Sequence, residues 1–292
     1  MLPEDPASGG PDLAATVLTG AVLAGVGLAL APMVVDLGRR WIPERNQFFA
    51  RWGFTHLAVL LLVFLAAFLV VPSLWVQLGG AELDLLESLL VMGLVLSAPA
   101  YYVLRCALRL DPDGLRCLGF RAPGSLRAFC FGLASYALLL PGLLGVMILW
   151  PFLLEFLGGE ARPQDAVVAF LESSEGTPWA ALLFAVVVLP FFEELLFRSF
   201  LQPLLVQNFR EVGGVVVTSL VFASLHGAGA FLPVFVLSLI MGGVMLRTQR
   251  FVACWAVHAL HNGLVIWALL QLPAARELVE IQEALLPLTL LP

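Results

Sequence analysis

Apolar residues run along this chain in blocks of bilayer-spanning length, broken by short polar stretches that hold most of the charge. A membrane span needs about 20 predominantly apolar residues. Eight stretches read as spans: 13–36, 54–77, 84–107, 126–157, 179–207, 213–228, 229–247 and 251–272. The pattern predicts an all-α fold, a polytopic transmembrane helix bundle of about eight spans. The fourth and fifth stretches are long enough to tilt or to run into the interface. Only Gly227, Ala228 and Gly229 separate the sixth from the seventh, which predicts a tight helical hairpin. Residues 160–177 form the one sizeable loop, and DAVVAFLE within it reads as a short interfacial helix. Beyond Pro273 the helical spacing of acids and apolar residues predicts an amphipathic tail on the membrane surface.

Composition agrees with the pattern. The chain is 61% hydrophobic and 12% charged, against about 25% charged in soluble domains, so a multi-pass integral membrane protein is expected. The N-terminus lacks a short charged-apolar-small leader, and no cleaved signal peptide is expected. A net charge of −6 excludes a general nucleic-acid binder. All 15 cations are arginine. With eight alternating spans, Arg39, Arg40, Arg45, Arg51, Arg105, Arg109, Arg116, Arg121, Arg127, Arg210, Arg247 and Arg250 fall on one side. The positive-inside rule makes that side cytoplasmic, with both termini outside. The expected location is a bacterial inner membrane. Cys106, Cys117, Cys130 and Cys254 form no CxxC pair, so free thiols are expected rather than disulfides or a thiolate metal site.

Against this background, two adjacent carboxylates stand out. Glu193 and Glu194 lie inside AALLFAVVVLPFFEELLF. A charge at the bilayer centre costs roughly 2.5–3.5 kcal/mol on insertion scales, so both should face a protein interior and hold partners. Arg198 follows Glu194 by four residues on the same helix face. That spacing predicts a buried structural ion pair. Neighbouring helix residues point about 100° apart, so Glu193 faces elsewhere without a local cation. A buried carboxylate in that setting suits a general base. Pro190 cannot donate to Val186 and should bend the helix nearby.

Three more polar groups lie at membrane depth. His226 follows Phe222 by one turn in FASLH. His258 and Asn262 share a face in HALHN, where an amide can orient an imidazole or hold an oxyanion. His261 points to another face and reads as structural, and His56 beside Trp52 reads as an interface anchor. At 1.5 Å per residue, Glu193 and His226 lie about 20 Å from the Arg-rich end and His258 about 12 Å. Tilted helices can bring these three into one layer, and the shallow histidines suggest a site opening towards the cytoplasm.

EELLFR matches EExxxR, FASLH matches FxxxH and HALHN matches HxxxN, in order and on separate spans. The chain thereby resembles the CAAX prenyl endopeptidase and bacteriocin-processing (CPBP) family of intramembrane proteases, the type II CAAX endopeptidases. The resemblance implies that Glu193 activates water, that His226 and His258 contact that water or the scissile carbonyl, and that Asn262 stabilises the oxyanion. It implies that Glu194 and Arg198 hold helix geometry. The substrate would be a membrane-associated peptide or a lipidated protein within the lipid bilayer. No metal is required by this set; zinc is the alternative, with Glu193, His226 and His258 as ligands and Asn262 or water completing the shell. The family also holds immunity and scaffold proteins, so a non-catalytic membrane partner stays open, as does a proton-coupled transporter using the carboxylates as a relay. HExxH is absent, no Asp lies in a span core, and no GxSx setting occurs, which argues against the zinc site-2, aspartyl and rhomboid-like classes. The motifs divide the chain into N-terminal transmembrane helices (1–125), a catalytic transmembrane core (126–273) and the tail (274–292).

Overall fold

The computed structural model describes residues 13–42, 50–78, 83–159 and 179–271. The expected interfacial helix in 160–177 and the tail after Pro273 lie outside them. Within the described residues the protein is an all-α polytopic bundle. Its helices are α1 (Leu13–Trp41), α2 (Phe54–Gln77), α3 (Leu85–Leu110), α4 (Ser125–Phe156), α5 (Trp179–Ser224), α6 (Phe231–Thr248) and α7 (Phe251–Gln271). All seven are long and apolar enough to cross a membrane.

Seven helices still give eight spans, because α5 is a hairpin. At Arg210 the backbone leaves helical geometry (φ 63°, ψ 175°). The Phe197 and Phe222 ring centroids lie 4.9 Å apart. A straight helix would separate residues 25 positions apart by about 37 Å, so the chain reverses at Arg210. Residues 179–209 form a first limb and 211–224 a second. These match the fifth and sixth expected spans to within a few residues.

α1 packs along α4, α2 on α3, and the second limb of α5 on α6. α4 touches α6 and α7, and the first limb of α5 is held between α3 and α7. Large apolar side chains such as Leu61, Leu65 and Phe68 point outward, as lipid-facing positions should. Charged and polar side chains are turned inward instead: Glu194, Arg198, Gln202, Ser219, Ser238 and His258 are all buried. In a bilayer, polar groups must find partners inside the protein.

Small residues let α1 approach α4 closely, as in other membrane helix pairs. A Cβ added to Gly27 would collide with Gly142 Cα. Gly27→Leu is therefore expected to destabilise the bundle by about 1–3 kcal/mol through overpacking, read as a lower Tm in detergent. An unchanged Tm would show that α1 does not dock on α4 this way.

The arginine-bearing connections meet at one end of the bundle. Arg247 Nε donates to Gly38 O (2.9 Å), Arg250 Nη2 to Pro123 O (2.8 Å), and Gln207 Nε2 to Ala50 O (3.1 Å). All four cysteines are unpaired. Cys117, in the 3₁₀ turn at this end, has its thiol pushed up to about 12, chiefly by burial and next by Asp111. It therefore stays protonated and unreactive at neutral pH.

Candidate active site

The glutamates sit on a short α-helical stretch, Leu189–Glu194, between two widened π turns at Phe184–Val188 and Leu195–Leu201. Prolines explain both. A proline ring crowds the carbonyl four residues back and offers no N–H. The carbonyls four before Pro190 and Pro203 belong to Val186 and Ser199, each inside a π turn. Before each proline the last donor bonds five residues back: Leu189 N to Phe184 O, and Gln202 N to Phe197 O. The bend expected at Pro190 is thus a widening, a feature frequent at functional sites.

The next acceptor in the first π register is Ala185 O, whose donor would be residue 190, a proline. Asn262 fills the gap, with Nδ2 donating to Ala185 O at 3.0 Å. Trp255 Nε1 donates to Val187 O at 3.0 Å in the same turn. α7 therefore staples the widened helix with two side chains. One N–H and the Oδ1 of Asn262 remain for other work.

His258 joins the two glutamates. Its Nδ1 lies 3.0 Å from Glu194 Oε1, and its Nε2 lies 3.6 Å from Glu193 Oε2. Glu194 Oε2 lies 3.3 Å from Arg198 Nε. The side chains of Glu194 and Arg198 are fully buried, whereas that of Glu193 is 24% exposed. The expected Glu194–Arg198 pair is present. The sequence reading missed that Glu194 also holds His258. Those residues are 64 positions apart, and no local spacing announces their contact. A carboxylate accepting from Nδ1–H leaves Nε2 to face Glu193.

Phe222 links the remaining groups. His226 packs on its ring with centroids 4.6 Å apart, His258 meets it edge-on at 5.8 Å, and Arg198 lies over it at 5.0 Å. His226 Nδ1 donates to Phe222 O at 2.8 Å, which turns Nε2 into its free nitrogen. The FxxxH motif thus records a histidine held by its own phenylalanine. Glu193 and His258 are in direct reach; His226 joins them through Phe222, and Asn262 lies one turn beyond His258. His261, expected to be structural, pairs with Tyr136 Oη at 3.0 Å. His56 caps the start of α2, where its Nδ1 accepts from Gly53 N at 3.3 Å.

For zinc, His226 and His258 would each have only Nε2 to offer. Among the described residues no three His, Cys, Asp or Glu side chains are grouped to hold a metal ion. Zinc, if bound here, would be held through those two nitrogens and Glu193.

The double use of Asn262 is separable. Asn262→Ala strands the Ala185 carbonyl, at a cost of about 1–3 kcal/mol. Pro190→Ala returns an N–H five residues after Ala185. The double variant is expected to recover much of the lost Tm while leaving any loss of hydrolysis in place. Full recovery of both would reduce Asn262 to a staple.

The bundle thus buries an ion pair, a bridging histidine and a more open glutamate together. Residues 175–264 match the model of a family described as Rce1-like, type II CAAX prenyl endopeptidase. That segment carries all three motifs, and over it the chain is similar to this family. No curated protein and no solved structure matches the chain.

Proposed function

We propose that the protein is an intramembrane endopeptidase that hydrolyses a peptide bond of a membrane-associated peptide or lipidated protein through glutamate-activated water. The observation that carries this reading is His258 held between two unlike glutamates, one sealed against Arg198 and one partly open. Nε2 of His258 and Oε2 of Glu193 are close enough for one water to donate to both. A water so held has both hydrogens engaged and a lone pair free for a carbonyl carbon. On attack, the C–O bond forms as Glu193 takes a proton from the water. The tetrahedral oxyanion is met by the remaining Asn262 N–H. The C–N bond then breaks, and the proton on Glu193 passes to the departing amine. Glu193, Glu194 and Arg198 sum to a formal charge of −1, which proton uptake by Glu193 brings to zero. The negative charge passes at the same moment to the tetrahedral oxyanion, so the total charge of the site is unchanged and the Asn262 N–H meets it there.

His226, with Nε2 free, serves as a second polar contact for the substrate carbonyl. In this reading the Arg-rich end faces the cytoplasm from a bacterial inner membrane, as the positive-inside rule suggests. CAAX-type processing is the finer reading suggested by the family's description. The structural work done by Asn262, Glu194 and Arg198 favours one other reading, a non-catalytic scaffold or immunity protein that keeps the fold.

The deciding experiment incubates the purified protein with a panel of membrane-inserted and prenylated peptides, with and without chelator. Cleavage at one bond, unchanged by chelator, is the expected result. Cleavage abolished by chelator and restored by zinc would overturn the metal-free mechanism. No cleavage of any member would favour the scaffold.

A further inference from the structure

The polar column does not end at Arg198. Gln202 lies one turn further along α5 and is fully buried. Its Nε2 donates to Gly242 O at 3.0 Å, and Arg198 Nη2 donates to Ser238 Oγ at 3.0 Å. α6 therefore meets the first limb of α5 at two levels, Ser238 and Gly242. The second limb meets α6 at the Gly242 level. A Cβ on Gly242 would lie 2.7 Å from Val215 Cγ1 and 3.3 Å from Gln202 Oε1. The second limb and α6 form a hairpin, so one turn from the Val215–Gly242 level Ser219 comes level with Ser238. Ser219 is 1% exposed and Ser238 fully buried.

Besides Arg198 Nε and Glu194 Oε2, which face each other as an ion pair at 3.3 Å, three side-chain atoms in this layer have no hydrogen-bond partner: Arg198 Nη1, Gln202 Oε1 and Ser219 Oγ. The set is mixed. Arg198 Nη1 only donates, Gln202 Oε1 only accepts, and a hydroxyl does either. An anion would suit Arg198 and be repelled by the Gln202 oxygen; a cation would do the reverse. A water molecule satisfies all three, and buried waters characteristically make about three such bonds. Leaving them unmet would cost about 1–3 kcal/mol each.

We propose that Arg198, Gln202, Ser219 and Ser238 enclose an ordered internal water between the two limbs of α5 and α6, and that Gln202 and Ser219 act through it as positioning residues for His258. The water fixes the plane of the Arg198 guanidinium. Arg198 then orients Glu194, Glu194 orients the imidazole, and the imidazole faces Glu193. The water site stands on geometry alone; the positioning role rests on the hydrolase reading above.

The first test is a high-resolution structure of the full chain. A solvent peak within about 3.2 Å of Arg198 Nη1 and Gln202 Oε1 is expected. Direct contact between those two atoms with no peak overturns the proposal. The second test compares Ser219→Ala with Ser219→Thr, which keeps a hydroxyl. Ser219→Ala is expected to lower kcat by about tenfold, the rate equivalent of one hydrogen bond to a charged group, with KM unchanged and the pH–rate profile displaced. Ser219→Thr should restore both. A lower Tm with an unmoved pH profile would overturn the positioning role. Should the wild type cleave no substrate, the hydrolase reading falls and the solvent peak still decides the water site.

Discussion

Glu193→Gln is expected to lower hydrolysis by about 10²–10⁴-fold, the usual contribution of a general base, while leaving the protein folded. Glutamine keeps the size of the side chain and can still hydrogen-bond Nε2 of His258. It cannot take a proton from water. Among the described residues, no other ion pair or side-chain hydrogen bond is seen at Glu193. Its near contact is His258 Nε2 at 3.6 Å, longer than a hydrogen bond, whereas the imidazole is anchored through Nδ1 to Glu194 at 3.0 Å. The substitution also removes a negative charge from a cluster whose formal sum is −1. Tm should therefore stay level or rise. The measurement is cleavage of whichever panel peptide the wild type cuts, beside a Tm in the same detergent. A near wild-type rate in Glu193→Gln would sink the mechanism and leave the scaffold reading in its place.

The spans were legible because lipid imposes one rule on every one of them: about 20 apolar residues, with backbone groups satisfied inside the helix. α2 is found at the expected 54–77. The hairpin in α5 was legible as two stretches: its non-helical residue is Arg210, and Gly213 and Gly214 follow it, Gly214 lying against Val206 of the first limb. The Glu194–Arg198 pair was legible because helix geometry ties residues four apart. What was hidden depends on contacts between distant segments. His258 reaching Glu194 rests on how α7 lies against the first limb of α5, and spacing within either helix says nothing about it. The role of Asn262 was half legible. HxxxN places it one turn from His258, but its bond to Ala185 follows only once Pro190 is seen to widen the helix rather than bend it. Local rules predict a helix defect at a proline; packing decides which neighbour repairs it.

Glu194→Ala should damage the fold more than any other single change at the site. Its carboxylate holds two groups at once, His258 Nδ1 at 3.0 Å and Arg198 Nε at 3.3 Å. Both neighbours are shut away from solvent, with Arg198 fully buried and His258 nearly so. Alanine leaves a buried guanidinium without its carboxylate, beside Ser238 Oγ and the Phe222 ring. Removing one partner of a buried ion pair costs about 3–5 kcal/mol, because the other charge is stranded. The expected result is a steep loss of folded protein in the membrane and a Tm too low to follow activity reliably. Arg198→Met alone should be nearly as harmful, since it strands the carboxylate. The pair Glu194→Leu with Arg198→Met removes both charges and keeps apolar volume, so it should recover much of the lost stability, as buried pairs replaced by apolar residues often do. That recovered protein should still fail to hydrolyse, because His258 has lost the group that fixes its Nδ1 proton. Wild-type yield and Tm in Glu194→Ala would contradict the ion pair; recovered stability with full hydrolysis in the double variant would show that Glu194 does not orient His258 for catalysis.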